Sequence, residues 1–267
     1  MIMTVRTIAI LILAFAFARP AAALEGLILG EDAVVASVVD GDTVVLDRTI
    51  AGATQVRLTG LQAPKLPLGR AGFREWPLAK ESKAALEKMI LGKPVRLFYG
   101  GARMDRHGRL LAHLEGPDGL WVQGEMLSLG MARVYTFADN RARADDMFAR
   151  ETAARDARRG IWAHPFYAIR PPDPGVLAAD IDTFQVIEGR VTSAAEVKGV
   201  VFLNFGDNWR TDFTIRLDRR IARQFRRAGL TADSYDGRQV RVRGWLKNWN
   251  GPTIEANHPE QIEVLEK

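Results

Sequence analysis

Three prolines in four positions, Pro171, Pro172 and Pro174, followed by Gly175, interrupt the chain beyond its middle. Proline has no backbone N–H and a fixed φ, so neither a helix nor a central strand passes through such a cluster. Residues 169–182 therefore read as a Pro-rich linker, dividing the chain into a unit at 30–168 and a second at 183–267. A length of 267 residues and a hydrophobic content of 47% suffice for one or two packed cores.

Each unit carries the signs of a small β structure. In the first, 33–39, 43–50 and 54–61 are short β-branched runs. A helix follows at 78–91, with apolar residues at helical spacing and Gly92 as its stop. Strands are expected at 94–100 and 110–115, a helix running into a strand at 121–135, and a helix with alternating charges at 144–163, closed by Gly160. The second unit offers strands at 184–192, 199–206, 211–217, 238–246 and 253–265, with a helix at 218–228 after the third. The predicted class is α+β: a five-stranded Greek-key barrel of OB type with added helices, followed by a second OB-like barrel.

Residues 1–23 have the pattern of an export leader. Arg6 precedes the apolar run "TIAILILAFAFA", and "AAA" at 21–23 suits cleavage. The run is shorter than the roughly 20 residues a spanning helix needs, and no later segment could span a membrane. The expected location is exported, periplasmic or secreted. Loss of the leader would take the formal charge from +5 to +3. The charge is uneven: residues 57–109 hold 12 Lys and Arg against 4 Asp and Glu, a basic stretch suited to a phosphate-bearing partner. The absence of cysteine rules out disulfides, thiolate metal sites and a Cys nucleophile. Four histidines without paired spacing leave no case for zinc.

"VVDGDTVVL" (38–46) sets Asp40 and Asp42 on either side of Gly41 inside an apolar run. In a strand these carboxylates would share a face and repel, so a metal site or a side-chain-capped turn is expected. With "VRLTGLQAPK", "ESKAALEKM", "MDRHGRLLAHL", "VQGEMLSLGMARVY" and "ARRGIWA" following in order, residues 30–165 resemble the staphylococcal thermonuclease family. That family hydrolyses phosphodiester bonds of DNA and RNA with one Ca²⁺. The resemblance implies a metal ligand at Asp42 beside Asp40, and a phosphate-binding pair at Arg57 and Arg109. The second carboxylate ligand of the family is here Gln62, and the general-base glutamate is Lys65. Together these replacements shift the local charge by three positive units. At about 7 Å and an effective dielectric of about 20, each removes roughly 2 kcal/mol per unit of cation charge. Loss of a general base typically costs about 10²–10⁴ in rate.

Tyr135 falls near where the family meets its nucleotide. In the second unit "RLDRRIARQFRR" (216–227) holds six arginines; Arg220 and Arg223 lie on one helical face. Trp209, Trp245 and Trp249 would suit stacking by single strands. Three readings follow: an exported nuclease with an altered metal and base site; a catalytically degenerate protein that binds nucleic acid or another polyanion; and an envelope scaffold for protein partners.

Overall fold

The computed structural model describes residues 24–265; the leader expected at 1–23 lies outside the described residues. β1 (Ile28–Asp40) and β2 (Thr43–Ile50) form a hairpin whose register pairs Asp40 with Thr43 across the Asp-Gly-Asp turn. β3 (Ala53–Leu58) continues antiparallel, with Thr43 opposite Arg57. A short β4 (Leu61–Gln62) leaves the barrel, and α1 (Ala79–Ile90) covers it through Leu86 and Ile90. β5 (Pro94–Tyr99) pairs back on β1, and β6 (Leu110–Glu115) lies between β5 and β3, parallel to β3. The barrel closes in the order β1-β2-β3-β6-β5 around Val35, Val44, Val56, Leu97 and Leu110. β1 starts well before the expected residue 33 because its first half pairs with β5, Ile28 opposite Tyr99.

α2 (Val122–Ser128) precedes β7 (Arg133–Val134), which pairs with β4. α3 (Ala144–Asp156) stops short of the expected residue 163; a 3₁₀ turn holds 160–163. Its buried residues Ala144, Met147, Glu151 and Ala154 recur at helical spacing.

The Pro-rich segment is docked along the second unit. Arg170 N–H donates to the Val186 carbonyl (2.9 Å) and Glu188 N–H to the Arg170 carbonyl (3.0 Å). Asp173 caps the short α4 (Pro174–Leu177), with Pro174 at the first helical position, and Leu177 is fully buried in the second core.

Beyond it lie β8 (Phe184–Arg190), β9 (Ser193–Val197), β10 (Val200–Asn204), β11 (Thr214–Leu217), α5 (Arg219–Arg227), β12 (Gln239–Asn248), β13 (Pro252–Glu255) and β14 (Ile262–Val264). They form a curled half-barrel in the order β14-β12-β13-β11-β10-β9, with β8 also on β12 and β11 parallel to β13. β9 was not among the expected strands. "SAAEV" has no apolar alternation; its backbone pairing to β10 makes it a strand.

The units meet across a buried ion cluster. Glu151 Oε2 accepts from the Val134 N–H (2.5 Å). Arg243 Nη1 donates to both Glu151 oxygens (3.0 and 3.1 Å) and to the Val134 carbonyl (3.2 Å), while its Nη2 reaches Glu263 (2.5 Å). Nearby, His258 Nε2 shares a 2.7 Å hydrogen bond with the Thr136 hydroxyl.

Burial, then the charge of Arg141, lowers His258 from 6.5 to about 4. Below the unfolded value the unfolded chain binds the extra proton. Stability therefore falls as pH drops from about 6.5 to about 4, by about 3 kcal/mol for this histidine. Urea unfolding at pH 7 and pH 4.5 should show a steeper loss in wild type than in His258→Gln. Equal slopes would exclude His258 as a source of acid sensitivity.

Candidate functional site

The Asp-Gly-Asp turn packs directly against α1. A Cβ on Gly41 would lie 2.0 Å from Ser82 Oγ and 2.7 Å from the Ala63 Cβ, so only glycine fits without movement. Asp40 Oδ1 accepts from the Asp42 N–H (3.1 Å), so the turn is also capped by a side chain. Of the two expectations for this pair, the capped turn is the one these contacts describe.

Asp42 is fully buried and fully engaged. Its Oδ2 accepts from the Ala63 N–H (2.8 Å) and the Lys65 ammonium (2.5 Å), and lies 3.3 Å from Arg57 Nη2. Its Oδ1 accepts from the Thr43 hydroxyl (3.1 Å). The same ammonium reaches Asp40 Oδ2 at 3.3 Å. Burial alone would raise the Asp42 carboxyl, but Arg57 and Lys65 outweigh it and hold the group well below the usual carboxylate range. Asp40 moves the other way, raised by burial and by the charge of Asp42.

Arg57 is buried and committed to the chain. Nη1 donates to the carbonyls of Asp42 (3.2 Å) and Leu58 (2.9 Å), and Nη2 to that of Leu61 (2.7 Å). It fixes the β3–β4 corner and compensates Asp42. Arg109 stands two residues before Leu111, the register partner of Arg57, and is more open. Its Nε donates to Asp105 (2.8 Å), which bends the 105–109 loop and leaves guanidinium surface toward solvent.

Gln62 was expected beside Asp42 as a ligand; its side-chain oxygen instead accepts from Arg133 Nε (3.0 Å) and Nη2 (2.9 Å). Arg133 is buried, also donates to the Phe184 carbonyl (3.0 Å), and stacks 4.5 Å from the Phe184 ring. Burial lowers its guanidinium to about 10. An amide oxygen supplies the acceptor this cation needs. Sequence reasoning missed Arg133, which looks like one more surface cation in "GMARVY".

Tyr135 packs between Phe137 and Phe184, and its hydroxyl accepts from Trp245 Nε1 (3.0 Å), so it belongs to the seam between units. Arg220 and Arg223 lie exposed on α5, distant in sequence from the turn and on the other unit. The basic stretch at 57–109 is partly neutralised from outside itself: Arg96 pairs with Asp32 (3.0 Å) and Arg103 with Glu31 (2.8 Å), both on β1.

A hard divalent cation takes six or more oxygen ligands. Here the two carboxylates already share an ammonium, Asp42 has further donors on both oxygens, and Gln62 is taken by Arg133. The residues present do not fit a divalent ion between Asp40 and Asp42.

A family model described as staphylococcal nuclease homologue matches residues 55–164. A probable staphylococcal-like nuclease of Oryza sativa subsp. japonica is 33% identical over 128 residues, 48% of this chain and 33% of the rice protein. An endonuclease of Bacillus subtilis (strain 168) is 28% identical over 137 residues, 49% of this chain and 11% of that protein. An uncharacterized endonuclease of Escherichia coli O157:H7 is 30% identical over 131 residues, 48% of this chain and 75% of that protein. The chain thus spans a third or less of the rice and Bacillus proteins' length, but three-quarters of the shorter E. coli one. Together with the closed five-stranded barrel and its helices, these matches establish that the chain belongs to the staphylococcal nuclease homologue family.

Proposed function

We propose that this protein binds nucleic acid through its family barrel and that Lys65 has taken the place of the divalent cation, leaving it without calcium-dependent phosphodiester hydrolysis. One observation carries this reading: the Lys65 ammonium lies 2.5 Å from Asp42 and 3.3 Å from Asp40. An internal cation there neutralises the carboxylates without an exchangeable ligand position. It also stands where the family resemblance puts a general base, and an ammonium cannot accept a proton. Arg109, half-open beside β6, and the exposed Arg74 and Arg106 favour a phosphate backbone as partner. The leader pattern at 1–23 supports export to the periplasm or the medium. N-terminal sequencing of the secreted product would test that.

The decisive experiment is cleavage of plasmid and single-stranded oligonucleotide by the full mature chain, with Ca²⁺, with other divalent ions, and with EDTA. No calcium-stimulated product is expected. Calcium-dependent cleavage abolished by Asp42→Ala would overturn the reading. Binding without cleavage should weaken steeply with salt. Arg109→Ala should lower the slope of log K against log salt by about 0.7 to 0.9, the share of one phosphate contact, in fluorescence anisotropy. An unchanged slope would remove Arg109 from the interface.

A further inference from the structure

We propose that the outer face of β9, β10 and β11, with the loops carrying Trp209 and Trp249, is a second site, built to stack the bases of single-stranded nucleic acid. Strand register places Ala195, Phe202 and Arg216 in one row and Ser193, Asn204 and Thr214 in the next. The alternate residues Val201, Leu203, Ile215 and Leu217 are buried in the core, so these rows face outward. All of the residues in these rows but Arg216 line a groove of about 440 Å³, which also includes Asp207 and is within the size range of ligand sites.

Two aromatic walls rise from it. Trp249, 50% exposed, lies with its ring 6.2 Å from Phe202 and only 13° from its plane. Trp209 is 53% exposed. Neither belongs to the core, and both line the same groove. Both loops are held in place. The Thr253 hydroxyl donates to the Trp249 carbonyl (2.9 Å), and Asn208 N–H donates to Asp212 (2.6 Å). Gly251, at φ +88°, brings the two loops together, since a Cβ there would lie 2.5 Å from the Thr211 carbonyl oxygen.

The charge pattern selects the occupant. Each indole has a guanidinium beside it: Arg216, which is also paired with Glu255, lies 5.3 Å from Trp249, and Arg210 lies 4.4 Å from Trp209. Bases that stack on the rings would set their phosphates within reach of these cations. Ser193, Asn204 and Thr214 hydrogen-bond one another, Asn204 Nδ2 donating to the Ser193 hydroxyl (3.2 Å) and the Thr214 hydroxyl to Asn204 Oδ1 (3.2 Å), and with Asn250 they keep further donor and acceptor capacity for a base edge. Beyond the β9–β10 turn, the Arg219 stem packs over Gly199 and leads onto α5. Arg220 and Arg223 lie exposed on that helix. A neutral oligosaccharide could use the tryptophans but has no use for the arginines.

The test uses the full mature chain and fluorescein-labelled dT12 in anisotropy titrations at low salt. Trp209→Ala with Trp249→Ala should weaken binding about a hundredfold, about tenfold for each stacked base lost. Trp249→Phe should stay within about threefold of wild type, because a π-face remains. Arg109→Ala reports on the barrel separately, so failure of one site is distinguishable from failure of the other. On unaltered protein, dT12 should shield the exposed indoles from acrylamide quenching, a readout that needs no variant to fold. The proposal is overturned if the folded double variant binds dT12 like wild type, if dT12 gives no shielding, or if cellohexaose shields and dT12 does not.

Discussion

Lys65→Glu lowers the midpoint of thermal unfolding in EDTA by about 10 °C, and calcium restores a large part of that loss. The substitution removes the ammonium that Asp42 and Asp40 share and puts a third carboxylate beside them. Stripping one partner from a buried ion pair costs about 3–5 kcal/mol. Lys65 is partly exposed, which favours the low end, while the new repulsion adds to it. A net loss of about 4 kcal/mol corresponds to roughly 8–16 °C in a chain of this size. Lys65→Met, which removes the cation without adding an anion, should lose about half as much. The cluster of three carboxylates then has a use for a hard cation. Calcium at about 100 times its dissociation constant would return about 2.7 kcal/mol to Lys65→Glu and nothing to wild type. Scanning calorimetry with and without calcium checks this. A wild-type midpoint that rises with calcium, or a Lys65→Glu midpoint indifferent to it, would refute the ammonium-for-metal exchange. Gln62→Asp should add little cation affinity, because Arg133 already holds the group at that position.

The second large effect lies at the seam. Arg243→Ala should destabilise the protein by about 4–5 kcal/mol, because it leaves the buried Glu151 without its main partner. It also removes the guanidinium from the Phe148 ring, 4.5 Å away. The informative comparison is Arg243→Met with Glu151→Gln. Replacing both charges by neutral groups of similar volume is often close to neutral, so the double variant should recover most of the loss. A double-mutant cycle from urea unfolding measures the coupling. If Arg243→Ala costs under about 1 kcal/mol, the cluster is hydrated and does not bind the units together.

The barrel strands and helices were legible because β-branched alternation and helical spacing survive in the local sequence, as at 43–50 and 79–90. The Asp40 and Asp42 pair was visible in the residues themselves, and Arg57, Lys65 and Arg109 through the family resemblance. Their connections were not. Lys65 meets the carboxylates from 23 and 25 residues away, past a corner at which Arg57 holds the Leu58 and Leu61 carbonyls. Gln62 looked like a weakened ligand because nothing nearby reveals Arg133, 71 residues later in the chain. Tyr135 was expected at the nucleotide, and its hydroxyl meets Trp245, 110 residues away. Glu151 was hidden among the alternating charges of "ADDMFARETAARDARRG"; it shares a helical face with Met147 and Ala154, and that face is buried. β9 escaped notice because hydrogen bonding alone makes it a strand.

The seam has a consequence for where such a chain can work. Without a single cysteine in 267 residues, it holds its halves together by charge instead of a covalent bridge. Thiol–disulfide exchange therefore has no target within these residues. The clamp formed by Arg243 with Glu151 and Glu263 holds in reducing and oxidising surroundings alike. Its vulnerability is acid, which charges His258 at the same boundary.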